Sequence, residues 1–251
     1  MRVIELGTVG STSDEVAARV ERGDPPPLAV RALVQTAGRG RRAREWESPP
    51  GGVWLSVALS WDGIVPGALA IHAALAVWDA IAPELRGDLT RLTIKWPNDV
   101  LLDGKKIAGV LCEGQSCGDR PACVVIGVGV NADFLEAELS DALKPRASTL
   151  RSLLGRRVDA DALSHRLVDG IDALPPPEHS LLDADSLAEI NERMAFRGDR
   201  VRFARPDGAE IHGILNAIDE HGRAVIRVGG DSVVVSSGDI YRAAAGRPET
   251  D

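Results

Sequence analysis

The sequence predicts a mixed α/β (α+β) fold in which a large unit is followed by a small antiparallel β-barrel. Up to about residue 195, apolar runs with strand character alternate with segments that carry apolar residues at helical spacing. From residue 200 to 241, the segments are short and alternating, and Asp-Gly, His-Gly and Gly-Gly-Asp turns separate them. We therefore predict one domain over residues 1–195 and a second over 196–251.

The elements of the first domain follow from periodicity and turn residues. A helix is predicted to open near Thr12, because Thr12 and Glu15 have capping-box spacing. A second helix over 67–82 is apolar on nearly all sides, which indicates burial, and Pro83 is expected to end it. The remaining predicted helices cover 150–154, 160–173 and 182–194, and the predicted strands cover 2–6, 28–35, 53–60, 92–96, 99–102, 107–113 and 124–130.

The second domain is predicted to contain four short strands, over 201–203, 210–218, 224–228 and 233–235. Two further local signals lie between predicted strands of the first domain. Asp103-Gly104 is a hairpin turn signal, because both residues tolerate a positive φ. Residues 36–52 are rich in Gly and Arg and lack periodicity, so we predict a loop there.

Charge and composition favour a globular cytoplasmic protein. The formal net charge of −8 argues against broad affinity for nucleic acid or for anionic membranes. No apolar run is expected to reach bilayer-spanning length, and the first ten residues carry no basic leader or apolar signal core. The cysteines Cys112, Cys117 and Cys123 match no zinc spacing, so we interpret them as apolar structural residues and expect no protein-built metal site.

The sharpest chemical feature is the segment from Gln35 to Trp46, which holds four arginines between glycines in an otherwise acidic chain. Glycines let the backbone approach a ligand closely, and guanidinium groups match the geometry of phosphates and carboxylates. A nucleotide or an acyl phosphate is the natural partner. A solvated basic loop or an RNA contact explains the charge alone about equally well.

A second feature is Lys95-Trp-Pro-Asn-Asp99, followed closely by Lys106-Ile-Ala-Gly109. A lysine on a hairpin beside small residues can neutralise a carboxylate that is becoming an acyl donor. Asp99 could orient that lysine or accept a proton from an incoming amine. The competing interpretation is a surface hairpin with ordinary charges.

Two weaker features complete the set. Gly127-Val-Gly-Val-Asn131 ends an apolar strand, where glycines allow a flat ligand to lie against the strand and Asn131 offers a donor and an acceptor. Ser11-Thr-Ser13 could bind a polar ring through hydroxyl groups, although helix capping explains Thr12 without a ligand. Neither feature is specific alone.

In this order and spacing, the four segments resemble the biotin–protein ligase family. The resemblance implies a class II synthetase-like catalytic domain with a mixed sheet and an SH3-like C-terminal domain. It implies that biotin is bound by Ser11, Thr12, Ser13, Gln35, Arg39, Gly40, Arg41, Lys106 and Gly109. It places the nucleotide against Arg39, Arg41, Arg44, Trp46, Lys95 and Asn131, and it makes Lys106, Arg41 and Asp99 the catalytic residues.

The implied reaction joins biotin and ATP, with Mg²⁺, into biotinyl-5′-AMP and then transfers biotin to a lysine of a biotin carboxyl carrier protein. The resemblance also implies a homodimer, although no segment identifies an interface. Some relatives carry an N-terminal DNA-binding domain, but here the first strand begins almost at Met1, so we expect no operator binding. Ser13 and Ala43 depart from the family pattern, which more commonly has Asn and Gly at these places.

Two other functions remain open at this stage. A lipoate–protein ligase would share the architecture and the acyl-adenylate chemistry. A non-catalytic RNA-binding or adaptor protein would use the arginine loop and the barrel, and it predicts RNA binding with a steep salt dependence and no pyrophosphate release. The acidic net charge and the scarcity of aromatic residues, with one Tyr and three Phe, count against the second alternative.

Overall fold

The computed structural model describes residues 1–61, 65–115, 123–175 and 181–243, and two β-sheets dominate it. Helices pack mainly on the first sheet, and the second sheet is formed entirely by the C-terminal part of the chain. The predicted mixed α/β architecture is therefore confirmed. Cys117, which we interpreted as structural, lies outside the described residues.

The first sheet is mixed, because β1 and β2 are parallel and every other neighbouring pair is antiparallel. Its spatial order is β1-β2-β3-β7-β6-β5-β4. The predicted strands are all present, and β1 and β6 are longer than predicted. The strands are β1 (Arg2–Val9), β2 (Leu28–Gln35), β3 (Val53–Ser60), β4 (Leu92–Lys95), β5 (Asp99–Leu102), β6 (Lys105–Gln115) and β7 (Cys123–Val130).

Helices cover both faces of this sheet. Alternate residues of a strand point to opposite faces, and on β2 Leu28 packs with α1, whereas Ala29 belongs to the larger core around α2. Apolar area buried on both faces accounts for the near-continuous apolar runs of the central strands. The helices are α1 (Thr12–Arg22), α2 (Gly67–Ile81), α3 (Leu150–Leu154), α4 (Ala160–Asp172) and α5 (Ala184–Arg193).

The start of α1 differs from the capping-box prediction. Ser11 is the N-cap residue and its side chain makes no capping hydrogen bond, while Thr12 is already helical. The Thr12 hydroxyl bonds instead to side chains of neighbouring strands. Tertiary contacts have therefore replaced the local cap that the spacing indicates.

Helix α2 is the buried core helix that its all-round apolar pattern predicts. Pro83 does not stop the helical path, because a 3-10 turn over Ala82–Leu85 continues it and proline is tolerated in a first turn. The combined run Gly67–Leu85 has 19 residues with mean hydropathy 1.4, which is long and apolar enough to cross a membrane by length and composition alone. Our expectation that no run reaches this length is wrong. Its apolar window is 72% buried inside the protein.

The second sheet is antiparallel and has the order β11-β10-β9-β8-β12, in agreement with the SH3-like domain that the resemblance implies. Four of its strands match the prediction. The fifth, β12, was missed because only Ile240 of its four residues is fully buried, so it carries almost no apolar pattern. The strands are β8 (Arg200–Ala204), β9 (Glu210–Ile218), β10 (Ala224–Val228), β11 (Asp231–Val235) and β12 (Asp239–Arg242).

The two sheets share one core. The rings of Trp96 and Phe203 lie with centroids 5.9 Å apart, and Trp96 Nε1 donates a hydrogen bond of 2.8 Å to the Gly222 carbonyl. This packing fixes the C-terminal sheet against the strand ends that carry Lys95 and Asp99. The division of the chain at residue 196 stays a prediction.

Candidate active site

A single cavity of about 680 Å³ collects every residue that we predicted for the site. It lies where the loop after β2, the β5–β6 hairpin, the glycine-rich end of β7 and strand β12 meet. The predicted residues that line it are Ser11, Thr12, Ser13, Gln35, Arg39, Gly40, Arg41, Arg44, Trp46, Lys95, Asp99, Lys106, Gly109 and Asn131.

A chain of hydrogen bonds fixes the hydroxyl groups at one end of this cavity. Gln35 Oε1 accepts hydrogen bonds from the backbone N–H of Thr12 at 2.8 Å and from its hydroxyl at 3.0 Å. The Thr12 hydroxyl lies 2.8 Å from the Ser56 hydroxyl, which lies 3.0 Å from that of Ser13. Ser56 is on β3 and is 1% exposed.

The direction of these bonds follows from counting hydrogens, because each hydroxyl has only one to donate. Thr12 donates its hydrogen to Gln35, so it accepts from Ser56, and Ser56 in turn accepts from Ser13. The Ser13 oxygen is left with lone pairs for a ligand in the cavity. Ser13 can therefore accept a hydrogen bond from a ligand N–H group.

Gln35 also ties this network to the arginine loop. Its Nε2 donates to the Ser48 hydroxyl at 2.9 Å, and that hydroxyl donates to the Trp46 carbonyl at 3.0 Å. Both amide ends of Gln35 are thus used, which fixes its orientation. The loop and the hydroxyl groups consequently form one connected polar framework.

Lys106 and Asp99 form an ion pair on adjacent strands, with 2.5 Å between Lys106 Nζ and Asp99 Oδ1. The Lys106 N–H donates to the Arg146 carbonyl, and the Ser148 N–H donates to the Lys106 carbonyl, so the strand is held in place at this residue. The Lys106 ammonium also lies 4.9 Å from the centre of the Trp46 ring. The lysine is thereby held at the cavity wall with a carboxylate beside it.

The Trp46 ring packs closely against two glycines of neighbouring strands. A Cβ atom built on Gly129 would lie 2.5 Å from Trp46 Nε1, and one on Gly109 would lie 3.0 Å from Trp46 Cζ3. Only glycine permits this approach. Within the described part of the protein, Trp46 Nε1 is buried and has no hydrogen-bond partner.

Arg39 points to one side of the loop, towards acidic residues that we did not predict. Its Nη1 donates to Asp14 Oδ2 at 2.6 Å, and its Nη2 lies 3.8 Å from Glu113. The hydrogen bond to Asp14 raises the pKa of Arg39 above its usual value, despite some burial. Arg39 is therefore a permanent cation at the cavity rim.

The other three arginines of the loop surround Asp239 of β12. Arg42 Nη1 and Arg44 Nη2 lie 2.8 and 2.7 Å from Asp239 Oδ2, and Arg41 Nη1 lies 3.8 Å from Oδ1. Burial would raise the pKa of Asp239, but the hydrogen bond from Arg44 and the three positive charges hold it below its usual value. Asp239 is ionised.

Arg41 is the most enclosed of these arginines. Its guanidinium donates to Asn98 Oδ1 at 3.2 Å and to the Gly238 carbonyl at 3.3 Å. Burial lowers the pKa of Arg41 relative to an exposed arginine, and the charge of Asp239 partly offsets this. Arginine nonetheless stays charged in proteins, so Arg41 brings a poorly solvated cation to the cavity.

The tip of the loop has a backbone conformation that L residues seldom adopt. Arg42 and Ala43 have φ angles of 58° and 55°, in the left-handed region. Ala43, which departs from the family's glycine, therefore occupies a position that glycine would favour.

Lys95 and Asn131 complete the predicted set. Burial lowers the pKa of Lys95, an effect that Asp99 partly opposes, and its ammonium lies 4.9 Å from the centre of the Tyr241 ring. Asn131 is 4% exposed, and its Nδ2 donates to the Ser148 carbonyl at 2.9 Å. Both residues are thus fixed by their neighbours.

Several cavity residues escaped the sequence analysis. Ser56 could have been found, because it is the polar residue inside an otherwise apolar stretch of strand, and Asn98 lies within the Lys95–Asp99 motif. Asp239 and Tyr241 had no signal, since β12 itself was not recognised. The segment 139–147 lines the cavity through Leu139, Ser140, Ala142, Leu143, Pro145, Arg146 and Ala147.

The part of the chain that the structure describes contains no group of three or more His, Cys, Asp or Glu side chains arranged to hold a metal ion. The charged groups of the cavity are mainly guanidinium and ammonium groups. Such a site suits a metal that arrives with a polyphosphate and keeps phosphate oxygens as ligands.

Comparison with known proteins defines first the class and then the family. Residues 18–131 match the Biotin/lipoate A/B protein ligase family, and residues 197–242 match the Biotin protein ligase C terminal domain. The fold agrees, because the biotin protein ligase of Aquifex aeolicus in complex with biotin and ATP superposes with a TM-score of 0.78 at 26% identity, over 96% of this chain and 99% of that one. The chain is thus similar in sequence and fold to ligases of the biotin/lipoate class.

Relatives that match over nearly the whole chain identify the family within this class. The biotin–[acetyl-CoA-carboxylase] ligase of Mycobacterium tuberculosis is 33% identical over 94% of this chain and 86% of its own length. That of Paracoccus denitrificans is 34% identical over 94% of this chain and 98% of its own length. The chain belongs to the biotin–protein ligase family.

Proposed function

We propose that this protein activates biotin with ATP to biotinyl-5′-AMP and transfers the biotin to a lysine of a biotin carboxyl carrier protein. The observation that carries this function is the convergence of Arg41, Lys106 and the Ser13 hydroxyl network on one cavity. Two relatives of full length are biotin–[acetyl-CoA-carboxylase] ligases, which supports both the substrate and the acceptor.

In the first step, a biotin carboxylate oxygen attacks the α-phosphorus of ATP, the P–O bond to the β-phosphate breaks, and pyrophosphate leaves. Two anions must approach each other, so cations have to offset their repulsion. Lys106 is held at the wall by Asp99, and we assign it to the carboxylate. Arg39, Arg41, Arg44 and Lys95 supply positive charge for the phosphates.

The polar ring of biotin fits the hydroxyl end of the cavity. Ser13 has acceptor capacity to spare, as the direction of the hydrogen bonds requires, and a ureido ring offers N–H donors. Ser11, Thr12, Gln35, Gly40 and Gly109 are assigned to the same subsite as backbone and side-chain contacts. The Trp46 ring and Asn131 are assigned to the nucleotide side.

In the second step, the acceptor lysine amine attacks the acyl carbon, the bond to the phosphate oxygen breaks, and AMP leaves. Asp99 is the carboxylate nearest to Lys106, and we assign it to the proton that the amine loses. A bound Mg²⁺ would neutralise phosphate charge in the first step. No cysteine is needed, because biotin passes directly from AMP to the amine.

Other features of the proposal rest on the family resemblance and on the composition of the chain. A homodimer, a cytoplasmic location and the absence of operator binding or membrane association remain predictions. The acceptor is inferred from the names of the relatives. These points do not affect the chemistry assigned to the cavity.

The test is pyrophosphate release from ATP in the presence of biotin, with lipoate as the alternative acid. We expect release with biotin and none with lipoate. Lys106→Ala should lower the rate about 100-fold or more, because a preorganised charge at the reacting group is lost. Lys144→Ala is the matched control, since Lys144 lies outside the cavity and pairs with Asp141.

Release with lipoate instead of biotin would assign the chain to the lipoate branch of its class. Equal rates in Lys106→Ala and the parent would remove Lys106 from the mechanism. RNA binding with no pyrophosphate release under any condition would contradict the ligase function as a whole.

A further inference from the structure

We infer that Asp239, on the C-terminal sheet, is a positioning residue that holds the arginine loop in its active arrangement. The inference rests on the proposed function for its effect on ATP, but its structural part concerns the loop alone. The carboxylate contacts Arg41, Arg42 and Arg44, which are three of the four arginines in the loop. None of the predicted site residues lies on this sheet.

Asp239 is attached to a rigid part of the molecule. It pairs with Ala204 of β8 in the antiparallel ladder, and the next residue, Ile240, is fully buried. The preceding residue, Gly238, packs its backbone against the Phe203 ring, which itself contacts Trp96. The carboxylate therefore has a fixed position relative to the β4–β5 strand ends.

The loop, in contrast, is connected to the rest of the protein through its side chains rather than through backbone hydrogen bonds. Within 38–46, the described backbone hydrogen bonds are those between Gly40 and Arg44, between Arg41 and Arg44, and between Gly38 and Trp46. The tip residues Arg42 and Ala43 have positive φ angles, and this conformation costs free energy that contacts with the surrounding structure must offset. The contacts with Asp239 supply that restraint.

The charges around Asp239 also indicate that it holds the loop. Three guanidinium groups that share one carboxylate would repel each other if the carboxylate were neutral. The Asp239 side chain is 16% exposed, so solvent screens these contacts less than it screens an ordinary surface ion pair. With one negative charge among three positive ones, the cluster stays positive and still attracts phosphates.

Asp239→Asn tests this inference in two independent assays. Limited trypsin digestion reports on the loop, because Arg41, Arg42 and Arg44 are cleavage sites, and we expect cleavage within the loop to be about tenfold faster in the variant. Steady-state pyrophosphate release reports on function, and we expect the KM for ATP to rise about tenfold, equivalent to about 1.4 kcal/mol. The KM for biotin should change less than twofold.

Three further variants separate positioning from a general effect on the fold. Asp231→Asn makes the same chemical change at an exposed site of the same sheet and should behave like the parent. Asp239→Glu keeps the charge and should restore most of the resistance to trypsin and most of the ATP affinity. In an Arg42→Gln/Arg44→Gln background, Asp239→Asn should raise the KM for ATP by less than in the parent.

The inference is overturned if Asp239→Asn is cleaved at the parent's rate and keeps the parent's KM for ATP. It is also overturned if Asp231→Asn shows the same changes, or if kcat and both KM values change together, since either result indicates a general disturbance. A parent protein that releases no pyrophosphate refutes the proposed function, while the trypsin comparison still tests whether Asp239 holds the arginine loop.

Discussion

Gly129→Ala is a sharp perturbation of the site, because it adds one methyl group beneath the Trp46 ring. The new Cβ would lie 2.5 Å from both Cε2 and Nε1 of Trp46, whereas carbon atoms in contact stay about 3.5 Å apart. The ring must therefore move by roughly 1 Å. Backbone on both sides of Gly129 is paired in the sheet, so the strand is less able to yield than the loop that carries Trp46.

The displacement should affect activity more than stability. A misplacement of about 1 Å in a catalytic site can cost about 100-fold in rate. Moving the ring also weakens its contact with the Lys106 ammonium, now 4.9 Å from the ring centre, a type of contact that contributes about 0.5–1 kcal/mol at exposed sites. Replacing glycine within a strand removes chain entropy from the unfolded state, which offsets part of any strain.

The assay is kcat/KM for biotin-dependent pyrophosphate release, together with the free energy of unfolding in urea. Gly7→Ala is the matched control, because Gly7 lies in β1 and a Cβ there would meet no atom within 4 Å. We expect Gly129→Ala to lose about 10- to 100-fold in kcat/KM and Gly7→Ala to lose none. Parental activity in Gly129→Ala would refute the claim that the glycine surface sets the position of Trp46.

Three further predictions concern other parts of the site and fold. Arg41→Ala should release biotinyl-AMP into solution faster than the parent, because a positive charge beside the phosphate is lost. Filtration of the protein–adenylate complex measures this release, and unchanged retention would contradict the assignment of Arg41 to the phosphates. Ser56→Ala should raise the KM for biotin more than that for ATP and lower the unfolding free energy by about 1–3 kcal/mol, because it leaves buried hydroxyl partners unsatisfied. Burial raises the pKa of Asp133, but the hydrogen bonds from Arg157 and from the Val158 N–H, together with nearby positive charge, lower it by more, so the pKa of Asp133 in the folded protein lies below its usual value. The ionised Asp133 therefore stabilises the fold above the pKa that it has in the unfolded chain, and this stability is lost as the pH falls through its pKa in the folded protein. Between about pH 5 and pH 3, Asp133→Asn should consequently lose less unfolding free energy than the parent. Equal losses in the two proteins would contradict this role of Asp133.

Elements could be predicted from the sequence where the local pattern agrees with the environment that the residues have in the fold. The limits of β2 and β3 follow from runs of branched apolar residues between turn signals, and the Asp103-Gly104 turn follows from the tolerance of both residues for positive φ. The family resemblance then identified candidate site residues that come from separate elements. The structure brings all of them to one cavity, which no local pattern could have shown.

The failures have physical causes of a different kind. Thr12 was assigned as a helix cap from its spacing to Glu15, but bonds to Gln35 and Ser56 across the sheet compete with that local arrangement. Strand β12 is too short and too polar to show periodicity. Asp239 was consequently not identified from the sequence, because its importance depends on contacts with Arg42 and Arg44, which lie almost 200 positions away in the chain.

The membrane-span expectation failed for a related reason. Counting apolar residues up to Pro83 underestimates the helical run, because the 3-10 turn continues it to Leu85. Burial between sheet and helices, rather than composition, distinguishes this core helix from a span. Position in the fold, which sequence alone does not specify, decided the outcome.

The proposed role of the cations in this cavity is to activate a carboxylate as an acyl-adenylate. Incubation of the protein with ATP, an acceptor domain and biotin labelled with ¹⁸O in both carboxyl oxygens tests this claim most directly. We expect the released AMP to carry one ¹⁸O atom, because the attacking carboxylate oxygen stays on phosphorus when the amine displaces AMP from the acyl carbon. Biotinylated acceptor formed together with unlabelled AMP would contradict it.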